Sequence, residues 1–328
     1  MSTMIEALNA AGKLEDLYPI FSANRYTSGW HKARPSLWKQ PKSEFQPLHW
    51  SYTESRLALD RAGEWIGTEL AERRNLLMFN PVSDNDYATV RTLVTAYQMV
   101  KPGEYARAHR HSPNALRLVL DAGPDLFTVV DGIKLPMVPG DVLLTPGNCW
   151  HSHYNEGEAN AYWIDFLDVP LVHLLEPMFY EEYPGGFQPV DDEPEAHPFW
   201  FPFSDSREKI AAMPADENGI RSYDLASQSH IATIGLKYFH LPKGATKPAM
   251  RDTANRIFAV AEGAGSLNAG SLSTSWKRGD IFAVPTWNRF ELVADEETYL
   301  LEVSDAPVQK ALGFLRDRET LPLKISAE

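Results

Sequence analysis

Two short blocks limit what this chain can fold into more tightly than anything else in it. The first runs from Gly103 through five residues to His109-Arg110-His111, and the second from Gly140 through Pro146 to His151-Ser152-His153. Side chains at i and i+2 of a β-strand share a face. If both blocks are strands, His109 and His111 stand on one face and meet His151 from a neighbouring strand inside a small barrel. Neutral imidazoles gathered in this way are ligands for a divalent first-row metal. A His-x-His by itself is more often a pair of surface or core histidines. Here four of the chain's ten histidines fall between residues 109 and 153, with the glycine and proline spacing of hairpin-linked strands around them.

The flanking text is β-rich. LLMFNP, VRTLVTAYQMVKPGEYARAH and LRLVLDAGPDLFTVVDGIKLPMVPGDVLLTP are broken by Pro102-Gly103, Ala122-Gly123-Pro124, Asp131-Gly132 and Pro139-Gly140. Asp131-Gly132 between FTVV and IKLPM predicts a hairpin. A second β-rich unit, from about Ile231 to Val303, repeats the plan. Lys243-Gly244 matches Pro102-Gly103, and Arg278-Gly279-Asp280 matches Pro139-Gly140-Asp141. Trp287 is set against Trp150, which puts Met250, Asp252 and Asn288 where His109, His111 and His151 stand. These make no shared ligand set, so a duplicated barrel that has lost its metal is expected.

The expected fold is all-β, with two double-stranded β-helix (jelly-roll) barrels and flanking N-terminal helices. An arm and helical segment takes residues 1–74, a metal-binding barrel 75–190, a linker or excursion 191–230, and a degenerate barrel with a C-terminal helix 231–328. Thr53, Glu54 and Ser55 offer capping chemistry to a helical stretch running to Arg74, which Gly63 and Gly67 interrupt. Residues 1–50 carry Trp30, His31, Lys32, Arg34, Pro35, Trp38 and Lys39, and read as an arm that packs against something, such as another subunit.

Composition excludes several classes. With 328 residues, 44% hydrophobic and 23% charged, the chain has the profile of a folded globular protein. A net charge of −13 argues against a nucleic-acid partner. The single cysteine, Cys149, allows no intrachain disulfide and fits a reducing cytoplasm. Its position near His151 raises a ligand role, but the turn at Pro146-Gly147 favours a buried, inert residue. The N-terminus lacks a signal-peptide pattern, and no stretch is apolar enough to span a bilayer.

The two histidine blocks resemble the two-part cupin signature, and the wider text resembles the gentisate 1,2-dioxygenase family, which includes salicylate and 1-hydroxy-2-naphthoate ring-cleaving enzymes. The matching stretches are Glu72-Arg73-Arg74, Asn80-Pro81, Ala108 through Ser112, Ala115-Leu116-Arg117, Thr128 through Gly132, Pro139-Gly140-Asp141, Leu144-Thr145-Pro146, Trp150 through His153 and Leu167 through Pro170. The resemblance implies a bicupin with one Fe(II) in the N-terminal barrel, dioxygen as co-substrate, and a homotetramer. It implies cleavage of a small ortho-hydroxybenzoate between its hydroxyl- and carboxyl-bearing carbons.

Residue by residue, it puts His109, His111 and His151 on the iron. The cupin glutamate expected just beyond is replaced by Ala115 and Leu116. Three neutral histidines keep the full 2+ charge and leave positions open for a bidentate anion and dioxygen. Arg73, Gln98, Arg117 and His153 become substrate contacts, with Val94 and Ala96 on the strand of Gln98 where bulk could meet the ring, and Asp165 as a supporting carboxylate. A guanidinium at Arg117 can fork onto a carboxylate, although a rim ion pair would use the same residue. Gln98 also suits an amide satisfied by backbone, His153 and Asp165 suit the surface, and Arg73 and Arg74 suit a helix-end pair; register favours Arg73. Asn148 and Cys149 depart from the family pattern and put the substrate in question. Two other classes compete: a non-redox zinc or manganese isomerase or hydrolase, and a non-catalytic bicupin that binds an aromatic acid.

Overall fold

The computed structural model describes residues 3–316 apart from 32–35, 39–41, 69, 72 and 226–229. Lys32, Arg34, Pro35, Lys39 and Glu72, named above, lie outside the described residues, as do residues 317–328. Met1–Lys42 form one compact unit and Ser43–Glu328 another. The smaller unit holds the helices Met4–Ala10, opened by a Thr3/Glu6 capping box, and Leu14–Ala23. No described helix is long and apolar enough to cross a membrane.

The larger unit is two barrels, each a six-stranded sheet facing a smaller one of five or four strands. Alternating strands give each six-stranded sheet two apolar faces. The inward faces fill the barrels: Val100, Val119, Leu126, Leu143 and Trp163 in the first, and Phe258, Leu267, Trp276, Phe282 and Phe290 in the second. The outward faces meet in one shared core that includes Tyr97, Leu116, Leu118, Tyr238, Ile257 and Leu301.

The segments leading into the barrels are exchanged between them. Leu48–Trp50, ahead of the first barrel, pairs with Ile281–Val284 of the second, while Trp200–Phe201, ahead of the second, pairs with Leu143 and Val142 of the first. The helices that follow do the same: the Tyr52 N–H donates to Asp280 at 2.9 Å, and the Phe203 N–H donates to Asp141 at 2.9 Å. Gly279 and Gly140 lie at φ +85 and +90, and a Cβ there would sit 2.4 and 2.6 Å from the rings of Tyr52 and Phe203. Only glycine fits.

Local signals held in part. Asp131 and Gly132 have φ of 45 and 82, the pair of left-handed residues that a tight hairpin needs. The helix after the arm spans Tyr52–Gly63, and its cap is Ser51, which accepts from the Glu54 N–H, rather than Thr53. It ends at Gly63, where a Cβ would press to 2.7 Å from Met99. Beyond that end, Trp65 and Leu70 of the stretch expected to be helical are 76% and 75% exposed.

The repeat is real, with one correction. Asn114 and Asp168 are clamped in the first barrel (2.8 Å from the Asn114 N–H), and Asn255 and Asp305 are clamped likewise in the second (2.8 Å). Met250 pairs with Phe290 as His109 pairs with His151, so Phe290, not Asn288, holds the third position. Trp287 is the counterpart of Asn148, not of Trp150. Both are left-handed (φ 63 and 71), and their N–H groups donate to Asp252 and His111 respectively. The aromatic match across the repeats misled the alignment. Asp252 itself accepts from both amino groups of Arg256 at 2.6 and 2.7 Å, so an internal ion pair neutralises the charge there.

Candidate active site

The strands Tyr105–His111 and His151–Asn155 are antiparallel neighbours, with His109 directly opposite His151. A bulge between Ala106 and His109 resets the register and turns both His109 and His111 towards His151. Ring centroids lie 4.3 Å apart for His109 and His151, 4.9 Å for His111 and His151, and 5.7 Å for His109 and His111. One nitrogen from each falls within 4.8 Å of the others, and no other such group of ligands occurs among the described residues.

Backbone carbonyls fix the proton on each ring. Nδ1 of His109, His111 and His151 lies 3.0, 2.9 and 3.1 Å from the carbonyl oxygens of Arg107, Pro113 and Cys149. A carbonyl only accepts, so each Nδ1 carries the hydrogen and each Nε2 keeps its lone pair. Burial, then the Arg73 charge, lowers the His109 pKa to about 4. Burial also lowers His111, and His151 well below its ordinary value, the latter helped by the other two histidines. Three neutral donors aimed at one point fit a divalent metal. Cys149 does not join them: burial, with a hydrogen bond to Asp131, pushes its thiol up to about 12, the opposite of a thiolate ligand.

The six-stranded sheet of the first barrel faces this group with polar side chains. Arg117 is buried, its Nε donating to Asp165 at 3.2 Å and its Nη1 to Thr145 at 2.9 Å. Asp165 also accepts from the Trp163 indole at 2.9 Å. Neither is a rim or surface residue. Arg117 Nη2 has no hydrogen-bond partner among the described residues. His153 is fully buried beside Trp163, with its pKa well below the ordinary value through burial and then the Arg117 and Arg73 charges. Val94 and Ala96 are buried on the strand of Gln98, at its parity. Four buried atoms find no hydrogen-bond partner in this region among the described residues: Arg73 Nη1, Gln98 Oε1, and both ring nitrogens of His153.

Arg73 and Arg74 have separate fates. Arg74 is tied to the Ile66 carbonyl at 3.0 Å and to Glu104 at 2.7 Å, so its donors are spent on structure. Arg73 instead acts electrostatically on His109, His111, His153 and Arg117. Sequence reasoning missed Thr145, Trp163 and Tyr180, whose ring stacks on His109 at 5.3 Å. Trp163 could have been found, since it lies two residues before Asp165 and shares its face.

Fold and site together define a bicupin with, among the described residues, one three-histidine site that could hold a metal. A cupin domain matches residues 96–168. The 5-aminosalicylate 1,2-dioxygenase of a Comamonas species is 32% identical over 93% of this chain and 90% of its own. Gentisate 1,2-dioxygenase 1 of Aquipseudomonas alcaligenes is 32% identical over 92% and 95%. A mutant salicylate 1,2-dioxygenase from Pseudoaminobacter salicylatoxidans, solved with gentisate, superposes with a TM-score of 0.85 at 26% identity, covering 97% of both chains. The chain belongs to the gentisate 1,2-dioxygenase family of ring-cleaving dioxygenases. The neutral histidine triad fits the iron of such an enzyme.

Because the second barrel pairs Asp252 with Arg256 instead of presenting histidines, one metal per chain is expected. Metal analysis after reconstitution and gel filtration checks this, and two tightly held ions per chain would contradict it.

Proposed function

We propose that this enzyme is an Fe(II)-dependent dioxygenase that opens the ring of an ortho-hydroxybenzoate, of the salicylate or gentisate type, between its hydroxyl- and carboxyl-bearing carbons. The observation that carries the reading is the set of partnerless buried atoms around the triad. Among the described residues, Arg73 Nη1, Gln98 Oε1 and the two nitrogens of His153 are buried donors and acceptors with no partner. Leaving such groups unpaired costs about 1–3 kcal/mol each, and a ligand with a carboxylate and a hydroxyl would relieve it.

His109, His111 and His151 would hold the metal, as neutral ligands that leave its charge undiminished. Iron, when bound, supplies the electron relay between the ring and dioxygen. Arg117 and Arg73 bring two positive charges to the site and suit a carboxylate. Asp165 and Thr145 anchor Arg117 through two of its nitrogens, so the guanidinium cannot swing. His153, held neutral, offers one donor and one acceptor to the substrate's oxygens. Val94 and Ala96 give the ring small apolar walls.

An oxygen electrode tests this. Iron-reconstituted protein should consume dioxygen with at least one of gentisate, salicylate, 5-substituted salicylates and 1-hydroxy-2-naphthoate, and not with the matching phenols that lack the carboxylate. Iron-loaded protein that consumes none with any of the acids would overturn it; zinc or manganese at the site would point to non-redox chemistry.

The proposal includes a homotetramer. Trp30, Leu37 and Trp38 of the N-terminal unit are 69%, 87% and 60% exposed in the single chain, a cost that a closed symmetric assembly would remove. Sedimentation at micromolar concentration should show the assembly, and a monomer would count against it. A cytoplasmic setting is part of the same reading, since one cysteine permits no intrachain disulfide.

A further inference from the structure

We propose that Tyr180 is a positioning residue for His109: its ring fixes the plane of the imidazole and so sets how tightly the triad takes up a metal. The inference rests on the metal-centre reading above. A hydrogen bond from Nδ1 to the Arg107 carbonyl holds one atom of the His109 ring, which leaves the plane able to turn about that contact. A stacked face removes that freedom. Tyr180 supplies one, with centroids 5.3 Å apart and planes 30° from parallel. Among the described residues, neither His111 nor His151 has an aromatic ring against it from outside the histidine group.

The strand that carries Tyr180 is held where the contact needs it. Tyr180–Glu182 is the edge strand beside Tyr105–His111, with Tyr180 opposite His111 and Glu182 opposite His109. Arg110 donates to Glu181 at 2.7 Å on this strand pair. The Ser112 hydroxyl donates to the Pro177 carbonyl at 2.6 Å and accepts from the Phe179 N–H at 2.9 Å, which pins the approach. A two-sided attachment of this kind gives a short edge strand a fixed register.

Burial does not explain the residue. Tyr180 is 59% exposed, too open for a core role. It also lines a cavity of about 370 Å³ together with Arg107, Tyr183 and Phe187. Shortening it therefore widens an existing space and opens no hole in a packed core, so the metal readout is separable from folding.

The test uses the full-length, metal-free protein titrated with Co(II) and Zn(II) against a chromophoric chelator, with the parent, Tyr180→Leu and Tyr180→Phe. Thermal melting of the metal-free forms runs alongside. Tyr180→Leu should melt close to the parent and bind both metals about three- to tenfold more weakly, the span that one aromatic pair is worth. Its Co(II) absorption bands should shift, reporting a turned imidazole. Tyr180→Phe keeps the ring and should restore parent affinity and bands. Parent affinity and an unchanged Co(II) spectrum in Tyr180→Leu would overturn the proposal, as would a Phe variant as weak as the Leu variant. Failure of the parent itself to bind either metal would instead remove the metal-centre reading.

Discussion

Replacing His151 with alanine should abolish stoichiometric iron and, with it, dioxygen uptake. Of the three ligands it is the central one, with its ring 4.3 Å from His109 and 4.9 Å from His111. It is fully enclosed, so no solvent group has ready access to replace it. Removing a partner that merely orients a ligand costs metal affinity about 10–100-fold. Losing one of only three protein ligands should exceed that, because two imidazoles leave an incomplete cage. His109→Ala and His111→Ala should behave alike. Metal analysis after desalting measures the outcome, with melting of the metal-free variants as a control on the fold. Full iron retention in any of the three would take that residue out of the ligand set.

What the sequence made legible follows from the range of the interactions involved. The triad was visible because strand parity is local: i and i+2 share a face whatever the rest of the chain does. The Asp131-Gly132 hairpin was visible for the same reason, since two left-handed residues decide it. Arg117 with Asp165 lay at the next level. Their types marked a cation and a supporting carboxylate, but only the antiparallel register of strands 48 residues apart makes them face each other. The exchange of Leu48–Trp50 and Trp200–Phe201 between the barrels was not legible at all. Each is a short extended segment, and its partner is chosen by an edge left open far along the chain. The same limit applied to Asn288. A matched tryptophan looked like an anchor, while the true correspondence lay in backbone conformation, with Trp287 and Asn148 both left-handed. Register favoured Arg73 over Arg74, but what holds Arg74 away, the Ile66 carbonyl and Glu104, lies elsewhere along the chain and could not be read from two adjacent arginines.

Arg117→Lys should keep iron and lose catalysis. The wild-type guanidinium is locked in place by two bonds that use different nitrogens, Nε to Asp165 and Nη1 to Thr145. Neither bond uses Nη2, which stays free to donate from a guanidinium already fixed in its plane. Lysine preserves the charge, but a single ammonium cannot hold both anchors and still present a planar donor to a carboxylate. Losing one hydrogen bond to a charged group in such a site is worth about 1.5–3 kcal/mol. At about 1.4 kcal/mol per factor of ten, kcat/KM should fall at least about tenfold. Metal content should stay at the parent level, because Arg117 touches none of the carbonyls that fix the triad. A substrate analogue without its carboxylate should be equally poor with parent and variant, since the contact in question is then absent from both. An unchanged kcat/KM in Arg117→Lys would leave Arg117 as an internal ion pair alone. The carboxylate would then fall to Arg73, Gln98 or the metal.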